Sequence, residues 1–175
     1  MENKLVETDR LMVRRLSLDD AELLLKYSQE EITKKELPDE VFEDIETLKE
    51  TIEFFMSNYD NQYPLVYGIV LKQENCVIGH ISLSKIDRGI EIGYAIATDY
   101  QNKGYASEIV IPFTEWAIKC LKINKLYGIS KKQNIPSWKI LEKSGFTFLE
   151  EGIYPNYLGG EFPVKLYVKV CQTYK

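Results

Sequence analysis

At 175 residues and 45% hydrophobic content the chain suits one globular domain, spanning 1–175, with a sizeable core. Its net charge of −5 argues against nonspecific nucleic-acid binding, which needs many phosphate contacts. No apolar run approaches membrane-spanning length, and MENKLVETDR lacks the apolar stretch of a signal peptide.

Cys76, Cys120 and Cys171 are widely spaced, odd in number and without a CxxC pair. They are expected to be reduced, buried thiols in a cytoplasmic protein. With one histidine and no clustered ligands, no metal is expected. The charge is uneven. Residues 1–60 carry 17 acidic against 8 basic side chains, and residues 61–175 carry 10 against 14. That division suggests a cationic ligand for the first part and an anionic one for the second.

In chain order, Leu11–Leu16 reads as a strand, and Ser17-Leu18-Asp19-Asp20 as a capping box opening a helix to about Tyr27. Residues 30–46 are acidic and broken by Pro38, and are expected to be irregular. Thr47–Glu50 reads as a second capping box. Leu48, Ile52, Phe55 and Tyr59 then follow at helical spacing. After a turn over 58–64, Tyr63–Leu71 and Cys76–Ser84 form a hairpin, and Ile90–Ala97 is a fourth strand. A helix runs from Gly104 to about Leu121. Pro112 inside it removes one hydrogen bond to Glu108 and should bend it. Lys125–Ser130 is a fifth strand. Asn134–Lys143 is a helix closed by Gly145, and Phe146–Ile153 and Pro163–Cys171 are the last strands. The order is that of a mixed α/β (α+β) domain, one sheet with helices packed against it.

The turn between the fourth strand and the long helix carries the chemistry. Gln101-Asn102-Lys103-Gly104-Tyr105-Ala106 is polar, and a helix opens at once behind it. A helix start leaves backbone N–H groups unpaired and favours negative charge. Such a turn either cradles an anion or is an ordinary tight turn. A nucleotide-binding P-loop needs Gly-Lys-Ser/Thr, but Tyr105 follows Gly104; a dinucleotide fingerprint needs three spaced glycines.

This stretch resembles the Q/R-x-x-G-x-G/A motif of the GCN5-related N-acetyltransferase (GNAT) superfamily. TDRLMVRRLSLDDAELL (8–24), GIEIGYAIATDYQNKGYASE (89–108) and SKKQNIPSWKILEKSGFTF (130–148) resemble segments of its ribosomal-protein N-acetyltransferase, RimJ/RimL-like, subgroup, in order and spacing. The resemblance implies a GNAT fold: a single, mostly antiparallel seven-stranded sheet, splayed between the fourth and fifth strands and flanked by about four helices. It implies acetyl transfer from acetyl-CoA to a primary amine, by direct attack in a ternary complex.

It also implies site residues. Backbone groups of Ala95, Ile96 and Ala97 would pair with the pantetheine arm. N–H groups from Gln101, Asn102, Lys103, Gly104, Tyr105 and Ala106 would hold the pyrophosphate. Asn134 would bond the pantetheine region, cap its own helix, or do both. Lys103, Lys131, Lys132 and Lys139 are candidates for the 3′-phosphate. The backbone N–H near Ile96 is the expected oxyanion donor. Glu91 is the first candidate base, because period-two alternation puts it on a small-residue face with Gly93, Ala95 and Ala97, while Ile90, Ile92, Tyr94 and Ile96 face a core. An exposed edge glutamate, or a structural ion pair with Arg88, is the competing reading, and Asp87 is the second candidate base. Leu141 stands where many members carry a tyrosine acting as acid; the resemblance to RimJ/RimL-like enzymes instead implies Ser137 toward the departing thiolate or a bridging water, the competing reading being a helix serine bonded to its own turn.

The rest of the chain gives softer signals. His80 reads as a satisfied strand histidine. The loop over 152–165 either covers the acceptor site or is a plain hairpin. Val164, Leu166, Val168 and Val170 alternate, so the last strand either joins a partner subunit in a homodimer or completes its own sheet. The acceptor is a protein N-terminus or a small amine, and the acids Glu30, Glu31, Glu36, Asp39, Glu40, Glu43 and Asp44 would draw a cationic one. The different class of function is a non-catalytic acyl-CoA-binding or regulatory module; neither a membrane nor nucleic acid is an expected partner.

Overall fold

The computed structural model describes residues 4–59, 63–155 and 160–170. Eight strands form one sheet in the order β1-β2-β3-β4-β5-β6-β8-β7. The strands are β1 Lys4–Glu7, β2 Leu11–Arg15, β3 Leu65–Leu71, β4 Cys76–Ile86, β5 Gly89–Ile96, β6 Lys125–Lys131, β7 Thr147–Pro155 and β8 Glu161–Val170. The helices are α1 Ala21–Ser28, α2 Glu31–Glu36, α3 Ile45–Ser57, α4 Tyr105–Leu121 and α5 Ile135–Lys143. Every neighbouring pair is antiparallel except β5 and β6.

The helix starts follow from capping. The Ser17 N–H donates to Asp20 Oδ2 (2.9 Å), and a 3₁₀ turn over Leu18–Asp20 leads into α1. The cap of α3 is Asp44, which accepts from the Thr47 N–H at 2.8 Å, so the helix begins three residues before the expected box. Residues 30–46 are more ordered than their composition suggests: they hold α2 and a 3₁₀ turn over Pro38–Glu40. Pro112 lies within an unbroken α4. The eighth strand, β1, pairs only with β2 and is too short for alternation to reveal it.

Alternation along the strands divides the core in two. Leu11, Val13, Ile69, Ile81 and Ile92 pack with Ile109 and Phe113 of α4 on one face. Val70 and Val77 pack with Leu24, Tyr27, Leu48 and Ile52 of α1 and α3 on the other. Each such fully buried side chain contributes about 1.5–3 kcal/mol. β8 is paired on both edges, by β6 and β7, so it completes the chain's own sheet. Cys120 is exposed, against expectation, and Cys76 is half-buried; both are free thiols, and Cys171 lies outside the described residues.

β5 and β6 position the site. They pair only at Ile90–Leu126, Glu91–Tyr127 and Ile92–Gly128, although β5 continues to Ile96 and β6 to Lys131. Beyond Ile92 they part, which is the expected splay.

Candidate active site

A cleft of about 880 Å³ opens at the parting strands. β5 supplies Glu91 through Ile96; the turn after it supplies Gln101, Asn102 and Gly104. α5 supplies Ser137, with Asn134 at its start, and α2 and the 3₁₀ turn form the opposite wall with Glu36, Asp39 and Glu40.

The polar turn is shaped for close approach. Asn102 (φ 60°) and Gly104 (φ 82°) are left-handed, a geometry that makes a concave nest of N–H groups. The first rung of α4 runs from the Glu108 N–H to the Gly104 carbonyl (3.0 Å), so the amides of Tyr105, Ala106 and Ser107 precede the helical ladder. A Cβ at Gly104 would meet only Arg10 Nη2, at 3.6 Å. Arg10 braces the turn: its guanidinium donates to the Lys103 carbonyl (3.1 Å) and to Glu108 Oε2 (2.7 Å). Arg10 carried no motif signal beyond its place in the opening segment. These features fit a pyrophosphate.

Other expected cofactor contacts divide. Gln101 is not free for the pyrophosphate, against expectation: its N–H closes the turn on the Thr98 carbonyl (3.1 Å), and its Nε2 donates to the Ile96 carbonyl at 2.7 Å. The Ala97 N–H is spent on the Ile78 carbonyl (2.8 Å). Ala95 lies where β4 approaches most closely: a Cβ at Gly79 would sit 2.1 Å from its carbonyl oxygen, so only glycine fits there. Asn134 Oδ1 caps α5 by accepting from the Ser137 N–H (3.3 Å). Lys131 and Lys139 both line the cleft, but Lys131 donates to the Lys35 carbonyl (2.7 Å); Lys132 pairs with Glu151 (2.7 Å), and Lys103 lies over the Tyr100 ring, 5.3 Å from its centroid.

Glu91 is half-buried on the face it shares with Gly93 and Ala95, where β5 still holds β6. Burial pushes its carboxyl up to about 7, against a smaller opposing pull from the Ile129 N–H. Arg88 is not its partner: it pairs with Glu150 at 2.7 Å. Asp87 sits exposed in the β4–β5 turn and does not line the cleft.

Tyr94 was placed by alternation on the core face, and its ring does pack there. Its hydroxyl nevertheless reaches the cleft. It donates to the Ser137 carbonyl (2.8 Å) and lies 3.3 Å from Ser137 Oγ. Burial pushes this phenol up to about 12, so it stays protonated. Leu141 is 1% exposed and packs into the main core. Tyr154 and Phe162, from the two arms of the β7–β8 hairpin, line the cleft; residues 156–159 of that loop lie outside the described residues.

His80 is satisfied, as expected. It is 7% exposed, with Nδ1 2.7 Å from the Tyr27 hydroxyl and Nε2 3.2 Å from Glu40 Oε2. Burial lowers its pKa, but the charge and hydrogen bond of Glu40 outweigh that and leave it raised. Among the described residues no His, Cys, Asp and Glu side chains group as a metal site, and no helix is long and apolar enough to cross a membrane.

A family profile described as the acetyltransferase (GNAT) domain matches residues 10–147. The chain belongs to this acetyltransferase family. It is an acetyl-CoA-dependent N-acetyltransferase. The acetyltransferase is similar to the uncharacterised N-acetyltransferase YnaD of Bacillus subtilis (strain 168), 28% identical over 151 residues and 85% of each chain. Its fold is shared with the ribosomal-protein-S5-alanine acetyltransferase of Vibrio fischeri, with TM-score 0.81, 21% identity and coverage of 97% and 98%. The same fold is found in the microcin C7 self-immunity acetyltransferase MccE, in complex with acetyl-CoA and AMP, with TM-score 0.78, 22% identity and 94% of both chains. The expected RimJ/RimL-like kinship thus holds at the level of the fold.

Proposed function

We propose that the acetyltransferase acts by direct attack of a neutral primary amine on the thioester, with Glu91 as base and Ser137 as donor to the departing sulfur. The amine nitrogen forms a bond to the acetyl carbonyl carbon. Its proton passes to the Glu91 carboxylate, directly or through one water, and the C–S bond breaks. The thiolate accepts a hydrogen bond from the Ser137 hydroxyl, which Tyr94 holds in place. The N–H groups over 102–106, at the N-terminus of α4, bind the pyrophosphate; the Gln101 N–H is spent on the Thr98 carbonyl (3.1 Å). Lys139 and Lys103 remain for the 3′-phosphate, because Lys131 and Lys132 are engaged elsewhere.

The observation that carries this reading is the place of the Glu91 carboxyl, half-buried in the cleft lining one pair before β5 and β6 part, where burial pushes it up to about 7. A base poised near the working pH takes a proton and releases it again. The acceptor is a protein N-terminal amine or a small-molecule amine, in a cytoplasmic protein with reduced Cys76 and Cys120. The name of the Vibrio fischeri structure favours the first kind.

The test follows thiol release with an amine acceptor across pH. The wild-type kcat/KM should rise through about 7, and Glu91→Gln should lose that rise. A rise that persists unchanged in the variant would remove Glu91 from the chemistry. No thiol release with any amine would leave a binding module.

A further inference from the structure

The turn between β1 and β2 meets the start of α4 across the fold. Thr8 and Arg10 lie in that turn, and both reach Glu108, the acid in the first turn of α4. Thr8 Oγ1 donates to Glu108 Oε1 at 2.5 Å, and the Arg10 backbone N–H donates to the same oxygen at 3.2 Å. The Arg10 guanidinium takes the other oxygen, with Nε at 2.7 Å and Nη2 at 2.5 Å from Oε2. It also borders three consecutive residues of the anion turn. Nη1 donates to the Lys103 carbonyl (3.1 Å), Nη2 would stand 3.6 Å from a Cβ at Gly104, and the guanidinium carbon lies 4.5 Å from the centre of the Tyr105 ring.

A carboxylate at this place sets up a conflict. In the first turn of a helix it is favoured by the unpaired N–H groups and the dipole. A pyrophosphate is drawn to the same N–H groups and is repelled by the carboxylate. A positive charge held against both the carboxylate and the turn removes the conflict. The bonds that fix Glu108 Oε1, from Thr8 Oγ1 and a backbone N–H, do not involve the guanidinium. Its loss would therefore leave the carboxylate in place and uncompensated. Arg10 is 47% exposed and Glu108 20%, so the effect is that of one screened charge near the surface.

We infer that Arg10 is a positioning residue for the cofactor's pyrophosphate and acts through its charge: it cancels Glu108 at the start of α4, so that the turn presents its N–H groups without a competing carboxylate. This rests on the pyrophosphate reading of the turn. A plain clasp, which only holds the turn's shape, has the opposite signature. Once Arg10 is gone, neutralising Glu108 would weaken a clasp further, whereas it repairs a charge imbalance.

Calorimetric titration with CoA, dephospho-CoA and pantetheine tests it, with thermal unfolding alongside. Arg10→Gln should weaken CoA and dephospho-CoA by about three- to tenfold. Glu108→Gln should tighten both, because the Arg10 charge is then unmatched. The double variant should return to within about twofold of the wild type. Glu115→Gln, an exposed acid about two turns further along α4, changes the net charge equally and should alter neither affinity. A double variant as weak as Arg10→Gln, or weaker, overturns the inference. So does an effect of Arg10→Gln on CoA that is absent with dephospho-CoA, which would place Arg10 at the 3′-phosphate. Should Arg10→Gln fail to fold, Glu108→Gln decides alone: unchanged or weaker binding overturns the inference. A wild type that binds pantetheine as tightly as dephospho-CoA removes the pyrophosphate reading of the turn itself. With that preference present, a failed rescue removes the charge role of Arg10 alone.

Discussion

The Tyr94 hydroxyl donates to the Ser137 carbonyl at 2.8 Å, joining β5 to the first turn of α5 beside the splay. The same hydroxyl lies 3.3 Å from Ser137 Oγ, so one phenol on the sheet sets where a serine on the helix stands. Where relatives are expected to carry a tyrosine in the helix, this chain has Leu141, buried at 1% exposure. Tyr94→Phe keeps the ring and removes the donor. It should cost about 1 kcal/mol of stability and lower kcat several-fold, because Ser137 loses its brace. Chemical denaturation and steady-state kinetics read the two effects. A stability loss with kcat untouched would confine Tyr94 to packing.

Glu91 makes stability depend on pH in a direction opposite to that of a paired carboxylate. Its carboxyl moves from 4.5 to about 7 on folding, because burial penalises the charged form. The native state is therefore relatively favoured by this group below about 4.5, and that favour is lost as pH rises through about 7. Glu91→Gln should stabilise the protein by about 1–3 kcal/mol above that range and by little in mild acid. Urea unfolding at the two pH values is the measurement. Equal effects at both would mean that desolvation does not act on this side chain.

Gly104 separates charge from backbone shape in the anion turn. Its φ of 82° costs any L-residue about 1 kcal/mol, yet a Cβ there has room, 3.6 Å from Arg10 Nη2. Gly104→Ala should lower the melting temperature and keep the stabilisation by acetyl-CoA and CoA. Gly104→Glu should lose that stabilisation, because its carboxylate repels the phosphates. ATP and NAD should stabilise neither variant. Loss in the alanine variant as complete as in the glutamate variant would place the requirement in the backbone alone.

The turn and the two faces of β5 were legible because both signals are local. Alternation alone puts Glu91 on the small-residue side, and a helix start behind Gly104 follows from the order of residue types. What was hidden has physical reasons. β1 and α2 are four and six residues long, too short for a period to show. The Thr47–Glu50 box competes with Asp44, and it is Asp44 that caps, taking the Thr47 N–H, so that α3 starts at Ile45. Alternation gives the direction of the Tyr94 Cβ but not the end of its side chain, which leaves the core and reaches Ser137. The ties of Glu30, Glu40 and Arg88 to Thr98, His80 and Glu150 are all long-range in sequence, which no local pattern reveals.

The three-pair parallel contact between β5 and β6 has a mechanical consequence. Strands β1 to β5 come from one contiguous block of sequence and β6 to β8 from another, and the chain passes between them once, through α4. The gap between the blocks is a seam with two banks, each stiffened by its own antiparallel pairing. A change inside either block is absorbed within that block. A change that tilts one block against the other, in α4 or at Ile92 and Gly128, alters the width of the seam along its whole length. The width available to a substrate then follows the angle between the two blocks, which the ties Tyr94–Ser137, Lys131–Lys35 and Arg88–Glu150 also hold, so residues that touch no ligand bear on it.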